Sequence, residues 1–237
     1  YYLAGLTSVG LSFEQPVECT ESISGGTLNF LEAIKFLNKK IKFFNAGSSE
    51  CFGNTNKIAA NELTAFSPRS PYATAKSTAF WQVANYREAY NLSCCTGILG
   101  NHESPLRANH FVTQKIISGV KSIKEGITDK LKLGNLNTWR DWGWASEYVE
   151  AMHLMLSTNI QNDYIIATGE TNSLKTFVDL AFEKVGLNSE DYLIQDKSLF
   201  RPTDIEYSVL DPSKIKKNLG WVSKSKLKDI IDKMYEG

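Results

Sequence analysis

Four side chains in this chain have the types and spacing of a proton-transfer site: Ser48, Glu50, Tyr72 and Lys76. A phenol titrates near ~10 and is a poor base at neutral pH until a cation steadies its phenolate. Lys76 stands four residues after Tyr72, and residues so spaced share one helix face about 6 Å apart. The pair alone is also what an ordinary surface helix carries. Ser48 and Glu50 make it more specific, because a hydroxyl and a carboxylate join the phenol and the ammonium.

The elements that must position these groups are legible from local pattern. Ser70-Pro71 followed by an alanine-rich stretch predicts a helix over 72–90. The apolar run 41–46 reads as a strand, and Gly47-Ser48-Ser49-Glu50-Cys51-Phe52-Gly53 as a polar turn bounded by glycines. Strand end, loop, then helix is where open α/β sheets place their ligands. Leu28, Leu31, Ile34 and Leu37 recur at helical period within 22–38, and 93–99 reads as a second strand. Alternating units of this kind predict an α/β fold, a parallel sheet with helices on both faces. Further on, helices are expected over 111–123, 146–157, 174–185, 212–219 and 226–234, and short strands over 130–133 and 164–167.

These residues resemble the extended short-chain dehydrogenase/reductase family, in which a Ser or Thr, a Tyr and a Lys act on a sugar hydroxyl beside a nicotinamide ring. Ser48, Tyr72 and Lys76 match that pattern, and Glu50, second after the serine, matches the 4,6-dehydratases rather than the epimerases. The likeness continues through Pro68-Arg69-Ser70-Pro71-Tyr72-Ala73, Asn85-Tyr86-Arg87-Glu88-Ala89-Tyr90, Gly97 to Pro105, Leu133-Gly134-Asn135-Leu136, Arg140-Asp141-Trp142-Gly143 and Ile165-Ile166-Ala167-Thr168-Gly169. Those strings are similar to the GDP-mannose 4,6-dehydratases.

The resemblance implies a partial Rossmann-like, doubly wound parallel sheet over 1–108 carrying the catalytic residues. A smaller C-terminal α+β lobe over 109–237 would hold the nucleotide sugar, with room for segments that return to the first sheet. It implies oxidation of a GDP-sugar at carbon 4, loss of water across carbons 5 and 6, and return of the hydride. Ser48, Glu50, Tyr72 and Lys76 would be catalytic. Leu3, Ala4, Gly5, Thr7, Tyr72, Lys76, His102 and Arg107 would contact the cofactor, taken as NADP with NAD an open alternative. Ser49, Asn101, Lys115, Arg140 and Arg201 would contact the substrate, the arginines because a guanidinium offers paired planar donors to a pyrophosphate. Another nucleotide-sugar epimerase or dehydratase is the alternative reading, and Arg107 hints at a homo-oligomer, dimer or tetramer.

No glycine-rich pyrophosphate turn opens the chain, and Tyr1 to Ser8 resembles a later strand end of the family fold. The expectation is therefore an N-terminally truncated chain that binds cofactor poorly and turns over little by itself. Leu6, Ser8, Glu18, Gln114 and Trp144 depart from the family's usual residues, which marks a divergent branch.

The 26 basic and 26 acidic residues cancel, so net charge offers no argument for nucleic-acid or membrane-surface partners. There is no apolar run of about 20 residues and no signal-like N-terminus, from which a cytoplasmic enzyme is expected. Cys19, Cys51, Cys94 and Cys95, with His102, His110 and His153, show no metal-ligand spacing. They read as free thiols in a reducing compartment, and no metal is expected.

Overall fold

The structure is a computed structural model that describes residues 1–37, 40–159 and 161–237. Its central sheet is parallel, with β1 (Phe43–Ala46) beside β2 (Cys94–Leu99) and β2 beside β6 (Tyr164–Ile166). Tyr2 adds a parallel bridge to Asn45 on the outer side of β1.

Side chains alternate across a strand, and here neighbours diverge to opposite layers. Phe43 and Cys94 pack with Leu31, Ile34 and Val83 on one face; Phe44 and Cys95 pack with Met152, Met155 and Trp221 on the other. Helices α3 (Gly26–Leu37) and α4 (Pro71–Tyr90) cover the first face, α6 (Ala145–Ser157) and α8 (Ser213–Leu219) the second. The same alternation sends the adjacent thiols of Cys94 and Cys95 to opposite layers. All four cysteines are free and buried.

Helix α4 starts and stops for identifiable reasons. The Ser70 hydroxyl accepts the Ala73 N–H at 3.0 Å, Pro71 needs no donor at the first position, and Asn91 ends the helix in the left-handed region at φ 55°. Small residues Ala73, Ala75, Ala79 and Ala84 are buried and let the helix lie close on the sheet. Its far end is tied by Arg87, whose two terminal nitrogens donate to Asp163 at 2.9 and 2.5 Å. Asp163 also accepts the Thr96 N–H at 2.7 Å, so one buried carboxylate joins α4, β2 and the base of β6. Asp163→Ala is expected to cost roughly 2–4 kcal/mol, because it leaves a backbone donor without a partner and the Arg87 guanidinium with only the Cys94 carbonyl. Urea unfolding checks this: a midpoint within error of the native chain would show the clasp to be dispensable.

A second sheet contains β3 (Asn101–Glu103), parallel to β5 (Trp139–Trp144), and β7 (Thr171–Ser173), antiparallel to β5. A third pairs β4 (Leu131–Leu133) with β8 (Leu193–Gln195). Helices α5 (Val112–Lys124), α7 (Leu174–Glu183) and α9 (Leu227–Glu236) pack with Leu131, Leu133 and Trp142 into the largest apolar core. Strand β6 belongs to the first sheet although it lies far along the chain.

Several elements differ from expectation. The stretch expected as one helix over 22–38 opens with a wider π-helical turn, Glu21–Gly25, before α3, and its last residue lies outside the described residues. The loop after β1 is a 3₁₀ turn, Ser49–Phe52. Short helices α1 (Val9–Ser12) and α2 (Pro16–Thr20), and strands β3, β5, β7 and β8, were not expected. Among the described residues no helix is long and apolar enough to cross a membrane.

Candidate active site

Strands β1 and β2 end side by side at Ala46 and Leu99, and their following residues form one wall of a cavity of about 640 Å³. The Ser48 hydroxyl accepts the Glu50 N–H at 3.2 Å and starts the 3₁₀ turn, which fixes where Glu50 departs from the backbone. Gly53 closes that turn at φ 67° and ψ −147°, a region essentially restricted to glycine. A Cβ there would stand 2.2 Å from the Ser67 carbonyl oxygen.

Tyr72 enters from the first turn of α4, where its N–H donates to the Ser12 hydroxyl at 3.2 Å. Lys76 follows one turn later, 8% exposed and donating from Nζ to the Ala46 carbonyl at 2.7 Å. Its ammonium lies 5.7 Å from the Tyr72 ring centre. Burial pushes the Tyr72 phenol well above its usual range, with the Ser48 hydroxyl and the Arg107 charge pulling the other way. Burial also brings Lys76 down from 10.5 to about 8, leaving it charged at neutral pH.

Lys76 carries a testable cost. The unfolded chain keeps the lysine proton to about 10.5, whereas the folded chain releases it near 8. Between those values the unfolded state binds more protons, so stability rises with pH there, and the full penalty stands below about 8. Lys76→Met is therefore expected to be more stable than the native chain at pH 7, by up to about 3 kcal/mol. The gap should narrow by pH 10. Equal offsets in thermal midpoint at both pH values would contradict this.

The opposite wall comes from the second sheet and its loops. His102 in β3 lies with Nδ1 2.9 Å from the Gly100 carbonyl, an arrangement that makes Nδ1 the donor, and burial holds its pKa below the usual value. Its Nε2 is then an acceptor. Glu103, 1% exposed, accepts from the Thr113 hydroxyl at 2.7 Å and lies 3.2 Å from Arg107 Nε. Arg107 also stacks 3.9 Å over the Phe111 ring. Arg140 in β5 is buried. Its Nη1 donates to the carbonyls of Trp139 and Ile205 at 3.0 and 2.7 Å, Nη2 lies 3.4 Å from Asp204, and Nε lies 4.0 Å from Glu50.

Nearly every residue singled out from sequence lines this one cavity: Leu3, Thr7, Ser48, Ser49, Glu50, Tyr72, Lys76, Asn101, His102, Arg107, Lys115, Arg140 and Arg201. Ala4 and Gly5 do not. Gly5 has φ 113° and packs against Ile23 and the Ser22 carbonyl, which turns this pair away from the cavity. Arg140 lines the cavity with most of its fork spent on protein carbonyls and carboxylates. Arg201, 39% exposed at its side chain and 3.9 Å from Asp204, is the more open guanidinium. Glu103, Thr138, Trp142 and Asp204 line the cavity and were missed. Asp204, three residues after Arg201, carried a spacing that could have found it; Thr138 carried none.

The sequence profile of the family described as GDP-mannose 4,6 dehydratase matches residues 1–234. The chain belongs to this family. It is 45% identical to GDP-mannose 4,6 dehydratase 1 of Arabidopsis thaliana over 240 aligned positions, covering all of this chain and 66% of that protein. It is 40% identical to the GDP-mannose 4,6-dehydratase of Sinorhizobium fredii, covering 99% of this chain and 72% of that one. The chain thus spans about two thirds of the length of such relatives. Among solved structures, RMD from Pseudomonas aeruginosa complexed with NADPH superposes with a TM-score of 0.89 at 20% identity, over 99% of this chain and 78% of that one. The UDP-glucose 4-epimerase of Thermus thermophilus, in complex with NAD, gives 0.85 at 24% identity, over 99% and 76%. These likenesses establish the Rossmann-like α/β fold.

Proposed function

We propose that this protein acts as a GDP-mannose 4,6-dehydratase, with its active site in the cavity between β1, β2 and β5. The observation that carries the reading is that Glu50 and Tyr72, a carboxylate and a phenol, line the same cavity. Relatives named GDP-mannose 4,6-dehydratase at 36–45% identity support the substrate.

Oxidation and reduction, the chemistry these side chains lack, is what a bound nicotinamide supplies. The residues present fit such a group: Lys76 spends one donor on Ala46 and keeps two for ribose hydroxyls, while His102 offers Nε2 as an acceptor. Leu3, Thr7 and Arg107 complete that side of the cavity. NADP is taken as the cofactor, in keeping with the NADPH complex of the Pseudomonas aeruginosa neighbour.

In this reading the Lys76 charge holds Tyr72 as its phenolate in the occupied site, where it takes the proton of the 4-hydroxyl, with Ser48 hydrogen-bonded to the same oxygen. Once carbon 4 is a ketone the hydrogen on carbon 5 becomes acidic, and Glu50 removes that proton and passes it to the departing 6-hydroxyl, which leaves as water. General acid–base help of this kind is worth ~100- to 10,000-fold. Lys115 and Arg201 serve the anionic nucleotide, and Ser49 and Asn101 the sugar. Residues 1–108 carry the catalytic groups and the sugar contacts, and 109–237 supply the contacts to the anionic nucleotide.

Incubating the full-length protein with GDP-mannose and NADP and following proton NMR tests this. Loss of water, followed by return to carbon 6 of the hydride taken from carbon 4 and of a proton to carbon 5, turns carbon 6 from a hydroxymethyl into a methyl group, so a new methyl doublet is expected. An epimerised hexose with no methyl signal would replace this reading with an epimerase.

A further inference from the structure

Arg140 lies 90 residues beyond Glu50, on a different sheet, yet its Nε stands 4.0 Å from Glu50 Oε1. Both side chains are largely sequestered, 8% and 16% exposed. Among the described residues Arg140 is the cation paired with that carboxylate. The guanidinium is itself held by the scaffold: two Nη1 donors go to the Trp139 and Ile205 carbonyls, and Nη2 reaches Asp204. Of five N–H donors on a guanidinium, three are therefore spent on the scaffold and the Nε one faces Glu50. Glu50, by contrast, stands on a four-residue 3₁₀ turn, with three side-chain torsions to fix.

We propose that Arg140 is the positioning residue for Glu50, a fixed cation that aims the carboxylate into the cavity and joins the proton-transfer end of the site to the Asp204–Arg201 end. The inference rests on the reading of Glu50 as the group that takes the carbon-5 proton. It assigns Arg140 a task distinct from gripping a pyrophosphate: the arginine acts through Glu50, while Arg201 keeps the more open fork. Substitutions that keep the positive charge should preserve the effect, whereas removal of either charge should abolish it. Tyr72 and Cys51 also face Glu50 closely enough to feel its charge, but neither is a cation at neutral pH that could hold it.

The test is side-chain rotamer order at position 50, read from three-bond carbon and nitrogen couplings in the isotope-labelled, ligand-free chain. The native protein and Arg140→Lys should show one dominant rotamer. In Arg140→Gln the couplings should collapse to an average, with Tyr72 and His102 signals unmoved. Glu50→Gln, which keeps the shape and drops the charge, should average as well and covers the case in which Arg140→Gln does not fold. An ordered side chain at position 50 in either neutral variant, or an averaged Glu50 in the native chain, would overturn the proposal. The couplings need no substrate, so the two readings fail separately. Absence of dehydration by the full-length protein, with Glu50 ordered by Arg140, would reject the proposed function and leave the positioning role standing.

Discussion

Glu50→Gln is expected to lower formation of the 4-keto-6-deoxy sugar by ~100- to 10,000-fold while leaving the affinity for GDP-mannose nearly unchanged. The amide keeps the length and planarity of the side chain but cannot take up a proton. The affinity should hold because Lys115 and Arg201, the residues proposed for the nucleotide, lie elsewhere on the cavity wall. Parallel measurement of turnover by NMR and of binding by calorimetry separates the two effects. Unchanged turnover would remove Glu50 from the chemistry, and a matching fall in affinity would make it a binding residue instead.

Phe177→Ala should give the largest loss of stability, about 3–5 kcal/mol, the usual cost of emptying an aromatic site in a packed core. Phe177 is fully buried in α7, and its ring lies 5.5 Å from that of Trp142. Trp142 follows Arg140 by two positions in β5, so the cavity left behind should also loosen the strand that aims the guanidinium at Glu50. A fall in the urea midpoint with an unchanged slope is the expected result. A loss below about 1 kcal/mol would mean that the core collapses to fill the space.

The parts of this molecule legible in its sequence were those whose burial follows an apolar pattern. Helix α4 announced itself through Ser70-Pro71 and its alanines, and β1 and β2 through continuous apolar runs, since parallel strands covered on both faces need no alternation. Strand β5 was different. Its sequence, Trp-Arg-Asp-Trp-Gly-Trp, carries two charges that are 7% and 1% exposed, so hydrophobic periodicity was silent where the strand runs. Asp141 is tolerated there because it accepts the Thr168 and Gly169 N–H groups at 2.9 and 2.7 Å. Glu103 hides β3 in the same way, satisfied by Thr113 and Arg107.

The site shows the same division. Tyr72 and Lys76 were readable because a helix fixes their spacing, and Glu50 because it stands two residues from Ser48. The approach of Arg140 to Glu50 was not, since it depends on how two sheets meet. Nor could sequence show that Lys76 turns its ammonium to the Ala46 carbonyl, or that burial raises the Tyr72 phenol. Those are properties of packing rather than of pattern.

The most direct measurement is a crystal structure of the protein with GDP-mannose bound, read at two contacts. The account predicts the Tyr72 hydroxyl at the sugar's 4-oxygen and a Glu50 carboxylate oxygen beside carbon 5, each within about 3–3.5 Å. A sugar seated with Glu50 turned away from carbon 5, or with the two side chains on opposite sides of a sheet, would contradict it.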